Sequence, residues 1–306
     1  MRNYVYDMKK QEIIALKIMY RRTSPVLLFF VTGILHWQCT VNPFSFEDKI
    51  SNNTISGRVE LSDRASPDNV YVWFKVFDIS TRTDVNGDFS LSLPASSARP
   101  GSGVDGLYNL YFYVANYRID SVQIPIFNGN VQYSNAIFND RGGLHEKIRL
   151  SKILDIHATI DPVSIQRGYP YNIDITFKVQ APKGKVLVKS SFSNPLFKGD
   201  PQYMVGFLKK VNDDDPIIQT IYRKDRGYRT VAFEIGIQSV ELLPLGIIEE
   251  PGQLPPGTYE VIPFLSVHQE NLPDGLMRSL GENVERFHPD FLKIPMKIKN
   301  NRFRVL

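Results

Sequence analysis

The feature that most constrains this chain is a period of two in its apolar residues, which recurs from about residue 54 to the end. Val70, Val72, Phe74 and Val76 fall on one side of an extended segment, and Tyr71, Trp73, Lys75 and Phe77 fall on the other. Successive side chains of a β-strand point to opposite faces, so a segment apolar on both sides belongs in the interior of a sheet with both faces covered. Phe89-Ser90-Leu91-Ser92-Leu93 and the run from Leu107 to Val114 read as further strands. Later in the chain Ile173, Ile175, Phe177 and Val179 alternate with polar residues, as do Val231, Phe233 and Ile235. These later segments read as half-buried strands. With 306 residues and 42% hydrophobic content there is ample material for two packed cores. The expectation is an all-β chain of two β-sandwich domains.

Between the strands, Asp84-Val85-Asn86-Gly87-Asp88 carries the Asn-Gly pair favoured in tight hairpins and predicts a hairpin leading into Phe89. Pro255-Pro256-Gly257 precedes Thr258-Tyr259-Glu260-Val261, a turn followed by a strand, as in the late strands of immunoglobulin-like sandwiches. Leu276, Leu280, Val284 and Phe287 fall at spacings of 4, 4 and 3, which predicts a helix within 272–287 interrupted by Gly275 and Gly281. A closing strand is expected around Phe291-Lys293-Pro295-Lys297, with Pro295 marking an edge position.

The N-terminal segment follows a different pattern. Val26 to Leu35 is the only long apolar run and directly follows Arg21-Arg22. At about 1.5 Å per residue it spans roughly half of a hydrocarbon core, so it reads as the apolar stretch of a signal peptide and not as a spanning helix. Residues 1–38 are therefore expected to be an export signal, with Met19 as an alternative start, and 39–52 a polar tether. The sole cysteine, Cys39, ends this run, a placement that resembles the lipid-modified cysteine of bacterial lipoproteins. That resemblance implies an exported protein held in the cell envelope by a lipid anchor on Cys39. Gln38 and Trp37 stand where such signals usually carry small residues. One cysteine also excludes an intramolecular disulfide.

Charge narrows the partners. The formal net charge of +4 lies wholly in residues 1–38, where Arg2, Lys9, Lys10, Lys17, Arg21 and Arg22 face Asp7 and Glu12; the remainder is balanced. A nucleic-acid-binding surface needs a net basic face, so nucleic acid is not an expected partner.

Within the first sandwich, several motifs occur in a recognisable order: Ile55-Ser56-Gly57-Arg58-Val59, Asn69-Val70-Tyr71-Val72, Thr83-Asp84-Val85-Asn86-Gly87-Asp88-Phe89, and Tyr108-Asn109-Leu110 with Asn116-Tyr117. Together they resemble the carboxypeptidase regulatory-like family, which implies a transthyretin-like sandwich over 53–150. Asn116-Tyr117 stands where Gly-Tyr is common in that family. Residues 151–306 continue the strand pattern and are expected to form a second, immunoglobulin-like sandwich.

No catalytic residue, metal site or cofactor is assigned. His145, His157, His268 and His288 are scattered singly, without the spacing of a helical zinc site. The acidic turns 84–88 and Asp213-Asp214-Asp215 lack the ligand complement of a calcium loop. No Gly-x-Ser-x-Gly or phosphate-cradling pattern occurs. The aromatic cluster of the first sandwich supplies the candidate ligand-contact residues Trp73, Tyr71 and Tyr111, whose rings on a sheet face suit sugars or a protein partner. The expected role is a non-catalytic binding or structural module of the envelope, meeting envelope proteins or glycans. An envelope hydrolase acting on peptides or glycans, and an accessory subunit of an envelope complex, are the alternatives.

Overall fold

Among the described residues the strand pattern is realised as five small sheets. The computed structural model describes residues 54–94, 105–134, 136–139, 142–194, 203–211, 218–221, 227–242 and 254–306. The signal and tether expected over 1–52, with Met19 and Cys39, lie outside the described residues, as does the Asp213–Asp215 cluster.

The first half contains β1 (Thr54–Leu61), β2 (Tyr71–Phe74), β3 (Ile79–Arg82), β4 (Asp88–Ser92), β5 (Gly106–Tyr113), β6 (Asp120–Phe127), β7 (Asn130–Val131) and β8 (Ile148–Leu150). They form a three-stranded sheet in the order β4-β1-β8 and a five-stranded sheet in the order β3-β2-β5-β6-β7. Ile55, Val59, Phe89, Leu91 and Leu150 from the first sheet meet Val72, Phe74, Leu110, Phe112, Ile124 and Ile126 from the second in one buried cluster. This is a β-sandwich, and alternation alone dictates which residues fill it.

In the second half the strands are β9 (Asp155–Asp161), β10 (Ser164–Ile165), β11 (Asp174–Gln180), β12 (Val186–Ser193), β13 (Gly206–Lys210), β14 (Ile218–Ile221), β15 (Tyr228–Ile235), β16 (Val240–Leu242), β17 (Gly257–Pro263), β18 (Leu265–Val267) and β19 (Arg302–Val305). Their sheets are β10-β19-β17-β13-β14, β16-β11-β9 and β15-β12-β18. β17 and β18 are one run of chain broken at Phe264, so the chain leaves the five-stranded sheet and enters the third. Ile156, Ile175, Phe177, Val188, Tyr259, Val261 and Phe303 are among the residues of the common core. Tyr259 is fully buried, stacks on Phe303 at 5.5 Å and donates its hydroxyl to the Pro255 carbonyl at 2.7 Å. A tyrosine near the start of a late strand, bonded back to backbone just upstream, is the corner device of immunoglobulin-like sandwiches.

Three expectations are corrected. The Asn86-Gly87 turn is not a hairpin, because β3 pairs with β2 in one sheet while β4 pairs with β1 in the other. Asp84 Oδ1 accepts the amides of Asn86 and Asp88, and Gly87, at φ +84°, brings its Cα so close to the Val59 carbonyl that a Cβ would lie 2.2 Å from that oxygen. A turn that crosses between sheets needs this close approach as much as a hairpin needs the positive φ. The helix expected within 272–287 is a single short one, α1 (Leu276–Leu280), flanked by Gly275 and Gly281. Finally, Pro289–Lys293 forms a 3-10 turn opened by His288 and Pro289, and the closing strand is β19, where Phe303 and Val305 are buried between exposed Arg302 and Arg304.

Candidate functional site

Each five-stranded sheet is covered on its core face and over part of the opposite face. In β2, Val72 and Phe74 enter the first core, whereas Tyr71 and Trp73 point to the opposite side. In β13, Leu208 enters the second core while Phe207 points away from it. The residues turned outward from the two cores meet one another. Tyr71, Trp73, Tyr113 and Ala115 of the first half pack in a third buried cluster with Val205, Phe207, Phe264, Leu276, Leu280, Val284, Phe291 and Ile294 of the second. Phe264 and Phe291 meet edge to face at 4.8 Å, and Phe207 and Phe287 lie 4.9 Å apart. Ser51–Leu306 accordingly forms one compact unit.

The predicted aromatic residues therefore sit in this seam. Trp73 and Tyr71 are 3% and 4% exposed. Tyr111 is partly buried and stacks on Trp73 with centroids 6.0 Å apart. Their polar ends are satisfied within the chain: Trp73 Nε1 donates to Asp78 Oδ1 at 3.1 Å, and Tyr71 Oη donates to Ser279 Oγ at 2.9 Å. Gly275 opens α1 beside the Trp73 ring at φ +92°, a conformation that favours glycine, whereas a Cβ there would meet the indole at an ordinary 3.5 Å. The faces that could have stacked on a sugar are filled by residues 276–294 instead.

Polar clamps flank the apolar seam. Asn116, 0% exposed, donates through Nδ2 to the carbonyls of Leu154 at 3.1 Å and Lys297 at 2.8 Å, and its Oδ1 accepts the Lys297 amide at 3.0 Å. Gln269 reaches from the second half to donate to the carbonyls of Ala115 and Tyr117, and accepts the amide of Ile119 at 2.8 Å. Residues 115–119, which leave the end of β5, are thus held from both sides. A glycine at 116 would make none of these side-chain bonds, so Asn116 is one of the residues that join the two halves.

A third contact locks the passage from β8 to β9. Lys152 is almost wholly buried, with Nζ 2.5 Å from Asp63 Oδ2, 2.9 Å from Asp155 Oδ1 and 5.4 Å from the centre of the Tyr117 ring. Tyr117 donates its hydroxyl to Asp63 at 2.7 Å. Burial pushes the Asp63 carboxyl up, but the hydrogen bonds from Lys152 and Tyr117 more than offset it and hold the group below the usual carboxylate range. Burial and the neighbouring Asp63 carboxylate push the Tyr117 phenol well above its ordinary value.

Beside these clamps a groove of about 990 Å³ opens among residues of both halves, lined by Lys152, Lys209, Lys297, Lys299 and Arg302. It is not a free cationic surface. Lys297 pairs with Asp68, Lys299 with Asp155 and Arg302 with Glu260. His157 lies on its wall with Nε2 3.3 Å from Asn300 Nδ2. His288 pairs with Asp290 at the 3-10 turn. Among the described residues, no three His, Cys, Asp or Glu side chains gather where they could hold a metal ion, and no helix is long and apolar enough to cross a membrane.

No family model and no curated protein matches the chain. It is similar to two crystal structures of BcpA, the major pilin subunit of Bacillus cereus, one of them of a variant. The identities are 12% and 13%, each alignment covers 71% of this chain and 67% or 66% of the pilin chain, and both TM-scores are 0.21. At that TM-score the likeness carries neither fold nor function to this chain.

Sequence reasoning missed Asn116, Gln269 and Lys152. Asn116 left a trace only as a departure from the family pattern that the sequence resembles. Gln269 and Lys152 left none, since single polar residues in turns and at strand ends are indistinguishable from solvated ones until the fold brings their partners together.

Proposed function

We propose that this chain is a non-catalytic, envelope-anchored structural module, in which a lipid on Cys39 tethers one rigid two-sandwich body. The observation that carries the reading is the seam. A module that only linked two binding domains would be served by a flexible connection, and relative motion is the default between domains. Here an aromatic cluster and hydrogen bonds from the fully buried Asn116 join the halves. Rigidity over two sandwiches suits a spacer whose two halves keep a fixed separation.

The first domain is assigned to 53–150 and the second to 151–306. The carboxypeptidase regulatory-like resemblance supports a transthyretin-like first domain, and the Tyr259 corner supports an immunoglobulin-like second one. Export is supported by the apolar run Val26–Leu35 after Arg21-Arg22. The hydrolase alternative has no observation in its favour, since neither His157 nor His268 has a carboxylate hydrogen-bond partner among the described residues.

Two measurements test the reading. Spin labels on cysteines introduced at exposed Leu107 and Ile237, one in each half, in a Cys39→Ser chain, are expected to give a single narrow distance distribution. A broad distribution refutes the rigid body. Fatty-acid labelling of cells is expected to mark the wild type and not Cys39→Ala, and an unlabelled wild type refutes the anchor.

A further inference from the structure

Among the described residues, the buried polar side chains are partnered with one exception. Thr83 accepts the Val70 amide and donates to the Pro67 carbonyl, and Asn116 and Lys152 are bonded as described. Ser190 donates to the Phe264 carbonyl, Ser191 pairs with Thr230, and Ser193 accepts the Tyr203 amide. The hydroxyls of Tyr71, Tyr117 and Tyr259 are likewise bonded. Tyr113 is 2% exposed, and among the described residues its hydroxyl has no hydrogen-bond partner. An unpaired buried donor is rare in native proteins, because it forfeits its hydrogen bonds to water with nothing in return.

Tyr113 lines a cavity of about 210 Å³ at one end of the seam. The cavity is built of three kinds of surface. Leu272, Met277 and Ile294 give it an apolar wall, Lys189, His268 and Glu285 stand as exposed groups among its lining, and Leu187 beside them is 43% exposed. Burial and the nearby Glu285 carboxylate keep the phenol protonated, so it presents an O–H donor.

We propose that this cavity binds one neutral pyranose ring, the terminal unit of a glycan, with a ring hydroxyl accepting the hydrogen bond of Tyr113. Each surface of the cavity limits the guest in its own way. A purely apolar guest leaves the Tyr113 hydroxyl as unpaired as before. A guest with one sign of charge is attracted to one of Lys189 and Glu285 and repelled by the other, so charge gives it no net advantage. A pyranose carries no charge, offers an apolar C–H face to Leu272 and Met277, and has hydroxyls that both donate and accept, matching a rim that holds an acceptor in Glu285 and a donor in Lys189. The volume is that of about seven waters at roughly 30 Å³ each, which limits the guest to a single ring. This site lies apart from the Trp73 face, which the chain covers itself, and does not depend on the lipid anchor.

The test is saturation-transfer NMR on the purified full chain with glucose, galactose, rhamnose and N-acetylglucosamine, for the wild type, Tyr113→Phe and Ala232→Trp. Tyr113→Phe removes only the hydroxyl, and Ala232→Trp adds bulk at an exposed lining position outside the core. The inference expects saturation transfer to at least one sugar, with dissociation constants on the order of 1 mM. It also expects at least a tenfold loss in both variants while their unfolding midpoints stay within a few degrees of the wild type or, for Tyr113→Phe, rise. Absence of transfer to all four sugars in the wild type overturns it, since the cavity then holds only water. Equal binding by wild type and Tyr113→Phe overturns it as well.

Discussion

Replacing Asn116 by alanine probes the joint between the sandwiches at its most buried polar point. The side chain makes three hydrogen bonds, all to backbone of residues 154 and 297, and is wholly shielded from water. Each such bond contributes about 1 kcal/mol net, and the larger cost falls on buried groups left without a partner, at about 1–3 kcal/mol apiece. The Lys297 amide and two carbonyls lose their partners in Asn116→Ala, and some are rescued by water entering the vacated space. The expected loss is about 3–5 kcal/mol, read as the change in unfolding free energy from urea titration followed by far-UV circular dichroism. Asn116→Asp sharpens the test. It keeps an oxygen for the Lys297 amide but turns a carboxylate toward the carbonyls of Leu154 and Lys297, so it is expected to destabilise at least as much as alanine. A loss under about 1 kcal/mol for alanine, with aspartate tolerated, refutes the clamp.

Other perturbations follow from the same contacts. Gly275→Ala is expected to cost about 1–2 kcal/mol, because alanine is disfavoured at φ +92°, while its methyl meets Trp73 only at ordinary contact distance, with thermal unfolding as the measurement. Trp73→Ala is expected to cost about 3–5 kcal/mol by opening a cavity in the seam, measured by urea titration. Asp63 and Asp155 both titrate below the usual carboxylate range, each pushed up by burial and held down more strongly by Lys152. The stability they contribute is therefore present above the unfolded carboxylate value near pH 4 and is lost as pH falls through the folded value. In Asp63→Asn the decline in stability between neutral pH and pH 3 is expected to be shallower than in the wild type, and an unchanged slope argues against the pairing.

How much of this was legible follows from what periodicity encodes. Alternation records which faces are buried, so the strand at residues 71–74 was readable as interior, with Val72 and Phe74 on one side and Tyr71 and Trp73 on the other. It does not record what buries them. The Tyr71–Trp73 face reads equally well as a ligand platform or as a packed surface, and only the position of residues 276–294 decides between them. Turn chemistry was legible as chemistry and not as topology: Asn86-Gly87 marks a positive φ, but whether the next strand pairs beside the last or crosses to the other sheet depends on long-range partners. The strand expected at 291–297 failed because the buried residues there are Phe291, in the 3-10 turn, and Ile294, just after it, three residues apart and not two. Tyr113 was invisible as a special residue, since a tyrosine without a partner looks in sequence like any other.

The central claim is that the two sandwiches behave as one body through their shared seam, and Trp73 reports on that seam directly. The chain has two tryptophans, Trp37 and Trp73, so a Trp37→Phe background leaves Trp73 as the sole indole. Urea unfolding followed by Trp73 fluorescence is predicted to coincide, in midpoint and slope, with the loss of strand signal in far-UV circular dichroism. Trp73 becoming exposed at a lower urea concentration, with strand signal retained, would show that the seam opens while the sandwiches persist, and would contradict the account.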